Sequence, residues 1–184
     1  MLAAITQVLN QDSDTQVDVC MTSEMARRIE LWTAMYEDNA PWVDRKKVKS
    51  AQLPAAIASE VARLVTLEMK SEITGGSSAT YLNEQYQKKV LKSIRRYVEY
   101  GCAKGGLILK PYVTKTGLAI QYVQADCFFP LAFDDSGQIQ QCVFTEQFRK
   151  GQKIYTRLEV HTLQGEQIRI TNRAFVATNV YSLG

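Results

Sequence analysis

The spacing of apolar residues changes near Gly105, and this change predicts a helical first half and a strand-rich second half. Before that point, apolar residues recur at every third or fourth position, which is the period of an amphipathic helix. Beyond it, short apolar runs alternate with turn residues at intervals of roughly 8 to 12 positions, which is typical of an antiparallel meander. The pattern therefore predicts an α+β fold, with about three N-terminal helices followed by mostly antiparallel strands.

Three helices are predicted near residues 22–36, 54–73 and 80–100. Thr22 or Ser23 is suited to cap the first helix, because either hydroxyl can accept a backbone N–H of the first turn. Pro54 favours the first turn of the second helix, since the helical ladder needs no N–H there. Residues 1–21 are expected to form an arm or a short helix that is loosely held.

A single α+β domain is expected over residues 22–184, with a helical half at 22–104 and a strand-rich half at 105–184. A tight polar turn is predicted at Asp134–Gly137, and a hairpin connection at Gln164–Glu166. The strands are predicted at residues 107–113, 118–123, 127–133, 138–148, 154–163 and 167–170.

The second helix is apolar on several sides. Its main stripe consists of Leu53, Ile57, Val61, Leu64 and Val65. Such a helix is usually buried against more than one neighbour, and some of these neighbours could be other subunits. We therefore expect Val61 and Leu64 to lie in the core, where aspartate would abolish soluble folding. Glu68 falls on the same face, so it is expected to pair with a nearby Lys or Arg or to reach the helix edge, with a functional acid as the alternative.

Composition limits the class of protein. The chain has 184 residues, of which 46% are hydrophobic, enough for a packed core and too many for disorder. The formal net charge of +3 is mildly basic and does not by itself indicate a nucleic-acid partner. The N-terminus lacks the basic region of a signal peptide, and no apolar run is long enough for a bilayer. We expect a soluble protein that is cytosolic where it is made, with no membrane partner.

The sequence gives little support to catalysis, metal binding or cofactor binding. The four cysteines, Cys20, Cys102, Cys127 and Cys142, form no CxxC pair, so we expect reduced and mostly buried thiols. A thiol nucleophile would need a base within hydrogen-bond reach, and His161 is the only histidine. The glycine loops lack the lysine of a phosphate loop. We therefore expect no enzyme, no cofactor and no metal site.

The third helix carries a basic cluster opposite its apolar stripe. Its members are Lys88, Lys89, Lys92, Arg95 and Arg96. Cations on one side of a helix could follow the phosphates of a nucleic acid, but the sequence interleaves no aromatic platform with them. Solvated or subunit-facing charge is the competing interpretation, and it applies equally to the run Arg45–Lys49. A small nucleic-acid-binding module that uses this helix face is therefore the alternative function.

Several segments together resemble portal proteins from long-tailed phages of Gram-positive bacteria. They follow the same order as in that family and extend over about residues 20–184. They are Ser23–Ala26, Leu31–Glu37, Leu53–Met69, Tyr97–Gly106, Gln124–Gly137, Tyr155–His161 and Ile170–Phe175.

The resemblance implies a structural function in the virion and in the host cytoplasm during assembly, or a prophage origin. Full-length portal proteins form a ring, usually a dodecamer, at one capsid vertex, and double-stranded DNA is packaged through it. Capsid, terminase and tail-adaptor proteins attach to the ring, and the portal hydrolyses nothing. The chain would correspond to the N-terminal wing, with the stem, clip and crown outside it. We expect one face of the second or third helix to meet a neighbouring subunit.

Overall fold

The computed structural model describes residues 2–11, 17–44, 46–47 and 50–176. These residues form an α+β fold, which confirms the predicted fold class. The helices are α1 (Leu2–Asn10), α2 (Ser23–Tyr36), α3 (Leu53–Leu67), α4 (Ala79–Lys89) and α5 (Ile94–Lys104). The strands are β1 (Leu107–Thr114), β2 (Gly117–Gln124), β3 (Phe128–Phe133), β4 (Ile139–Lys150), β5 (Lys153–Gln164) and β6 (Gln167–Val176). Short 3-10 turns occupy Leu91–Ser93 and Ala125–Cys127.

The chain divides into two compact units. The sheet unit comprises the described residues of Met1–Arg27 and Asp126–Gly184, and the helical unit comprises those of Arg28–Ala125. The structure thus groups α1 with the four-stranded sheet, and the β1–β2 hairpin with the helices. This division differs from the expected halves, which met at residues 104 and 105. Residues 177–184, which the expected domain included, lie outside the described residues.

The sheet unit is an antiparallel meander in the order β3-β4-β5-β6, with α1 packed on one face. Ile5 of α1 is fully buried against a cluster that includes Val143 and Leu158. The Arg173 guanidinium donates hydrogen bonds of 2.7 and 2.9 Å to the carbonyls of Val8 and Leu9 at the end of α1. The expectation of a loosely held N-terminus is therefore wrong for α1, because its buried face and its last carbonyls both have partners.

The helical unit is organised around α3, which packs against α5. The buried residues of α3 are Ala58 and Ala62, and their small side chains allow the two helices to approach closely. Helix α5 is capped at its C-terminus by Gly105, whose φ of 85° is left-handed. A Cβ added at Gly105 would lie 2.9 Å from Cζ3 of Trp32, so glycine is required there for both conformation and space.

The described residues contain five α-helices, so the prediction of about three was too low. One extra helix is α1. The other arises because the predicted helix at 80–100 breaks after Lys89, giving α4 and α5. At the break, the hydroxyl of Tyr122 on β2 donates a 2.7 Å hydrogen bond to the Lys89 carbonyl, which would otherwise accept within a continuous helix. The second helix was also predicted too long, because it ends at Leu67.

The strand-rich half follows its prediction closely. Every predicted strand is present, and β6 extends beyond its predicted end to Val176. The turn at Asp134–Gly137 is confirmed, with Oδ1 of Asp134 accepting the N–H groups of Ser136 and Gln138 at 2.9 Å each. These backbone hydrogen bonds, the one from Gln138 first, hold the pKa of Asp134 below its ordinary value.

Candidate functional site

The most prominent surface feature is the exposed apolar side of α3, which we call the α3 stripe. The exposed fractions are 63% for Leu53, 62% for Ile57, 40% for Val61, 58% for Leu64, 58% for Val65 and 64% for Leu67. Exposed apolar surface that is contiguous along one element marks a binding site more often than chance exposure does. The prediction that Val61 and Leu64 lie in the core is therefore wrong.

The reason for this inversion lies in the composition of α3. Both sides of the helix are apolar, and at 100° per residue Ala62 and Leu64 point in nearly opposite directions. The side that carries Ala58 and Ala62 packs inward, since it permits the closest approach to α5. The larger side chains consequently face outward. Glu68, the residue after the last turn of α3, is exposed, so its carboxylate is not buried with a packed face of the helix.

Polar groups and a hollow border the α3 stripe. Arg63 and Glu60 form a two-pronged ion pair, with an Nη2–Oε1 distance of 2.6 Å and an Nε–Oε2 distance of 2.8 Å. The hydrogen bond from Arg63 lowers the pKa of Glu60. At the other end, Leu53 also lines a hollow of about 350 Å³ beside Trp42, whose side chain is 66% exposed. An apolar centre with a polar margin and an exposed tryptophan is the usual anatomy of a protein-binding surface.

The structure distributes the basic cluster over three elements. Lys88 and Lys89 lie on α4, Lys92 on the 3-10 turn, and Arg95 and Arg96 on α5. The break after Lys89 separates them, so no continuous helix carries all five. Arg45, Val48 and Lys49 of the other basic run lie outside the described residues.

Three members of the basic cluster have local partners. Lys88 lies 3.5 Å from a carboxylate oxygen of Glu84. The Lys89 ammonium donates to the carbonyl of Leu118. Arg96 donates a 3.0 Å hydrogen bond to the hydroxyl of Tyr100. Such contacts reduce the number of cations available to phosphates, because each existing contact would have to be exchanged for a contact with a phosphate.

Several aromatic rings lie near the Arg96 end of the basic cluster. The Arg96 guanidinium lies 5.7 Å from the ring centroid of Tyr100, and Tyr97 stacks on Tyr122 with centroids 3.5 Å apart. Tyr36 contacts Tyr100 edge to face and donates a 2.8 Å hydrogen bond to Glu99. Burial, followed by that hydrogen bond, raises the pKa of Tyr36. The rings contact one another, so they serve the packing of the helical unit.

The candidate catalytic residues are placed as follows. Cys102 is an exposed residue of α5 in the helical unit, and His161 lies on β5 in the sheet unit, 2.7 Å from a carboxylate oxygen of Glu159. None of the four cysteines is joined in a disulfide bond. Cys142 is buried and Cys127 partly so, but Cys20 and Cys102 are exposed, so the expectation of mostly buried thiols is wrong for these two.

The described part of the chain shows neither a cluster of metal-ligating residues nor a helix that could span a membrane. No group of three or more His, Cys, Asp or Glu residues there is arranged to hold a metal ion. Among the helices at residues 2–11, 17–44 and 50–176, none combines the length and the apolar character needed to cross a membrane.

Comparisons with protein-family models, with curated proteins and with solved structures found nothing that matches this chain. The chain is therefore characterised by its α+β fold and by the α3 stripe. Sequence reasoning found the residues of this stripe other than Leu67 through their helical spacing, but it assigned Val61 and Leu64 to the core.

Proposed function

We propose that this chain is a structural subunit of a phage portal and supplies the wing of a ring at the capsid vertex. The observation that carries this proposal is the α3 stripe. A row of large aliphatic side chains on a helix is costly to leave in water, at roughly 25 cal/mol for each Å² of apolar surface. Assembly covers such surface, and a ring is what repeated head-to-tail contacts produce when the rotation closes.

The packing of α3 against α5 also supports the proposal. Because Ala58 and Ala62 are held against α5, the outward side chains project from a helix that is already fixed. A preformed surface loses less conformational entropy on binding than a mobile one. Subunits of a rigid ring require this property.

The resemblance supplies the proposed partners. They are neighbouring copies of the same chain, a dodecamer in full-length relatives of the family, together with capsid, terminase and tail-adaptor proteins. Double-stranded DNA would pass through the ring during packaging. The proposed location is the virion, and the host cytoplasm during assembly. The proposed function includes no catalysis and no cofactor.

The alternative of a small nucleic-acid-binding module has less support. It would use Lys88, Lys89, Lys92, Arg95 and Arg96, of which three already hold local partners and which are divided among three elements. The two functions predict different behaviour in one salt titration. A module of this kind would bind duplex DNA tightly, with affinity that falls steeply as salt rises.

Two experiments on the full chain test the proposal. Negative-stain electron microscopy and native mass spectrometry should detect ring-shaped or arc-shaped oligomers of defined stoichiometry. A strictly monomeric protein at high concentration would argue against assembly. Binding of duplex DNA that is tight, and that is lost on replacement of Lys92 and Arg95 by alanine, would favour the alternative.

A further inference from the structure

The two edges of the four-stranded sheet differ in how they are protected. An unpaired edge strand offers a row of N–H and C=O groups to any extended chain, so most proteins blunt such edges. Strand β3, at one edge, contains Pro130 and shows register shifts around Ala132. Its carbonyls are also occupied, because the Cys20 N–H donates to Pro130 at 2.8 Å and the Cys20 thiol to Leu131 at 3.2 Å.

The edges of the β1–β2 hairpin carry protection as well. Strand β1 contains Pro111, which has no N–H, next to Lys110, a residue type that discourages edge pairing. On β2, the carbonyl of Leu118 accepts a hydrogen bond from the Lys89 ammonium. Each of these strands therefore has at least one device against a further strand.

Strand β6, at the other edge of the four-stranded sheet, shows none of these devices within the part of the chain that the structure describes. It has 10 residues, with neither proline nor lysine. Its register with β5 runs without interruption from Gln167 to Val176. Among the described residues it pairs with β5 alone. Roughly half of its backbone groups point away from β5, as in any antiparallel edge strand.

The side chains of β6 indicate which strand would fit. Arg169 and Arg173 are its only charged residues, and their register partners Thr162 and Leu158 place them on the face that packs against α1. On the opposite face, Ile168 is 61% exposed and Ile170 is 52% exposed. Because the Arg173 guanidinium is bonded to the carbonyls of Val8 and Leu9, a strand added to β6 would meet one available cation, Arg169, on one face and Ile168 and Ile170 on the other.

We infer that β6 is a docking edge for an extended acidic segment of a partner protein, in which acidic and apolar residues alternate. Main-chain hydrogen bonds would hold the segment, and the alternation would set its register. Acidic side chains would oppose Arg169, and aliphatic side chains would cover Ile168 and Ile170.

A second copy of β6 fits this edge less well. In an antiparallel self-pairing, residues on the same face oppose one another. Arg169 of one copy then lies directly opposite Arg173 of the other when the pairing is centred on Thr171. When the pairing is centred on Ile170, the two arginines are diagonal neighbours. Like charges in these positions are destabilising. The inference uses only the sheet unit and does not depend on the portal proposal.

Residue-resolved amide exchange by NMR on the full chain provides the test, with a blocked seven-residue peptide that alternates glutamate and valine as the probe. In the free monomer, alternate β6 amides, those that point away from β5, should exchange rapidly. With the peptide they should become protected, and shift changes should centre on β6. A matched lysine–valine peptide should bind at least about fivefold more weakly, because it places like charge opposite Arg169.

Two charge-reversed variants refine the test. Arg169→Glu should weaken the binding of the glutamate–valine peptide by about fivefold or more, whereas Arg149→Glu, at an exposed position on β4, should leave the affinity unchanged.

Equal binding of both peptides, or shift changes away from β6, would overturn the inference, as would no binding at millimolar peptide. Protection of the same amides in the free monomer would mean that the chain itself covers β6. Protection that appears only as protein concentration rises would mean that a second copy does. Either result would also overturn it.

Discussion

Ala62 and Leu64 lie two residues apart on α3, yet the first is fully buried and the second is 58% exposed. Ala62 belongs to the side that packs against α5, and Leu64 belongs to the α3 stripe. This pair therefore separates the face that holds the helical unit together from the face that is available for assembly.

Aspartate at these two positions should have opposite consequences. Ala62→Asp places a charge in a closely packed helix contact and should lower the free energy of unfolding by about 3 kcal/mol or more. Leu64→Asp replaces an exposed side chain and should change the free energy of unfolding by no more than about 0.5 kcal/mol. Urea denaturation followed by tryptophan fluorescence reports on the helical unit, because Trp32 and Trp42 both lie in it. Equal destabilisation by the two variants would contradict the assigned orientation of α3.

Gly105 should be intolerant of any side chain. Gly105→Ala combines a left-handed φ of 85° with a Cβ 2.9 Å from Cζ3 of Trp32, and should destabilise the helical unit by about 2 kcal/mol. Gly75→Ala is the matched control, since Gly75 has a φ of 90° and nothing within 4 Å of its added Cβ. Gly75→Ala should lower the free energy of unfolding by about 1 kcal/mol, because only the backbone conformation is strained. Thermal denaturation of the two variants measures the difference, and a larger loss at Gly75 would refute the close approach of Trp32.

The hydroxyl of Tyr122 should stabilise the break between α4 and α5. Tyr122→Phe keeps the ring that stacks on Tyr97 and removes the hydrogen bond to the Lys89 carbonyl. The free energy of unfolding should fall by about 1 kcal/mol. Tyr81→Phe, at an exposed position of α4, is the control and should have no measurable effect. If Tyr122→Phe leaves the stability unchanged, the break must have another cause.

The turn at Asp134 should make stability depend on acid. Its backbone hydrogen bonds lower the pKa of Asp134 in the folded state, so the folded protein favours the ionised form. The stabilisation is present above the unfolded pKa of about 4 and is lost as pH falls through the lower folded value. The stability difference between wild type and Asp134→Ala, from urea denaturation followed by circular dichroism, should therefore shrink below about pH 4. A stability difference between wild type and Asp134→Ala that grows as the pH falls would contradict the assignment.

The strand-rich half could be predicted from sequence because its signals are local. Asp134 supplies its own turn through side-chain hydrogen bonds to Ser136 and Gln138, and neighbouring strands are joined by short hairpins. Each turn residue lies within a few positions of the strands that it connects, so a short stretch of sequence contains all the residues that determine each hairpin.

The helical half and the candidate site could be predicted only in part. Periodicity identified the α3 residues, but it could not decide between an alanine side and a leucine side that are both apolar, because that choice depends on α5. The break after Lys89 depends on Tyr122, a residue 33 positions further along the chain. The break also divides the basic cluster, so the expectation of one continuous basic face depended on a contact that no local pattern contains.

Sedimentation velocity over a range of concentrations tests the central claim that the α3 stripe is an assembly surface. Wild type should self-associate, and the double variant Val61→Asp with Leu64→Asp should remain monomeric with unchanged helix content. Val113→Asp is the matched control, because Val113 on β1 is 84% exposed and lies outside the stripe, and it should associate like wild type. A wild type that stays monomeric, or a double variant that associates as strongly as wild type, would contradict the claim.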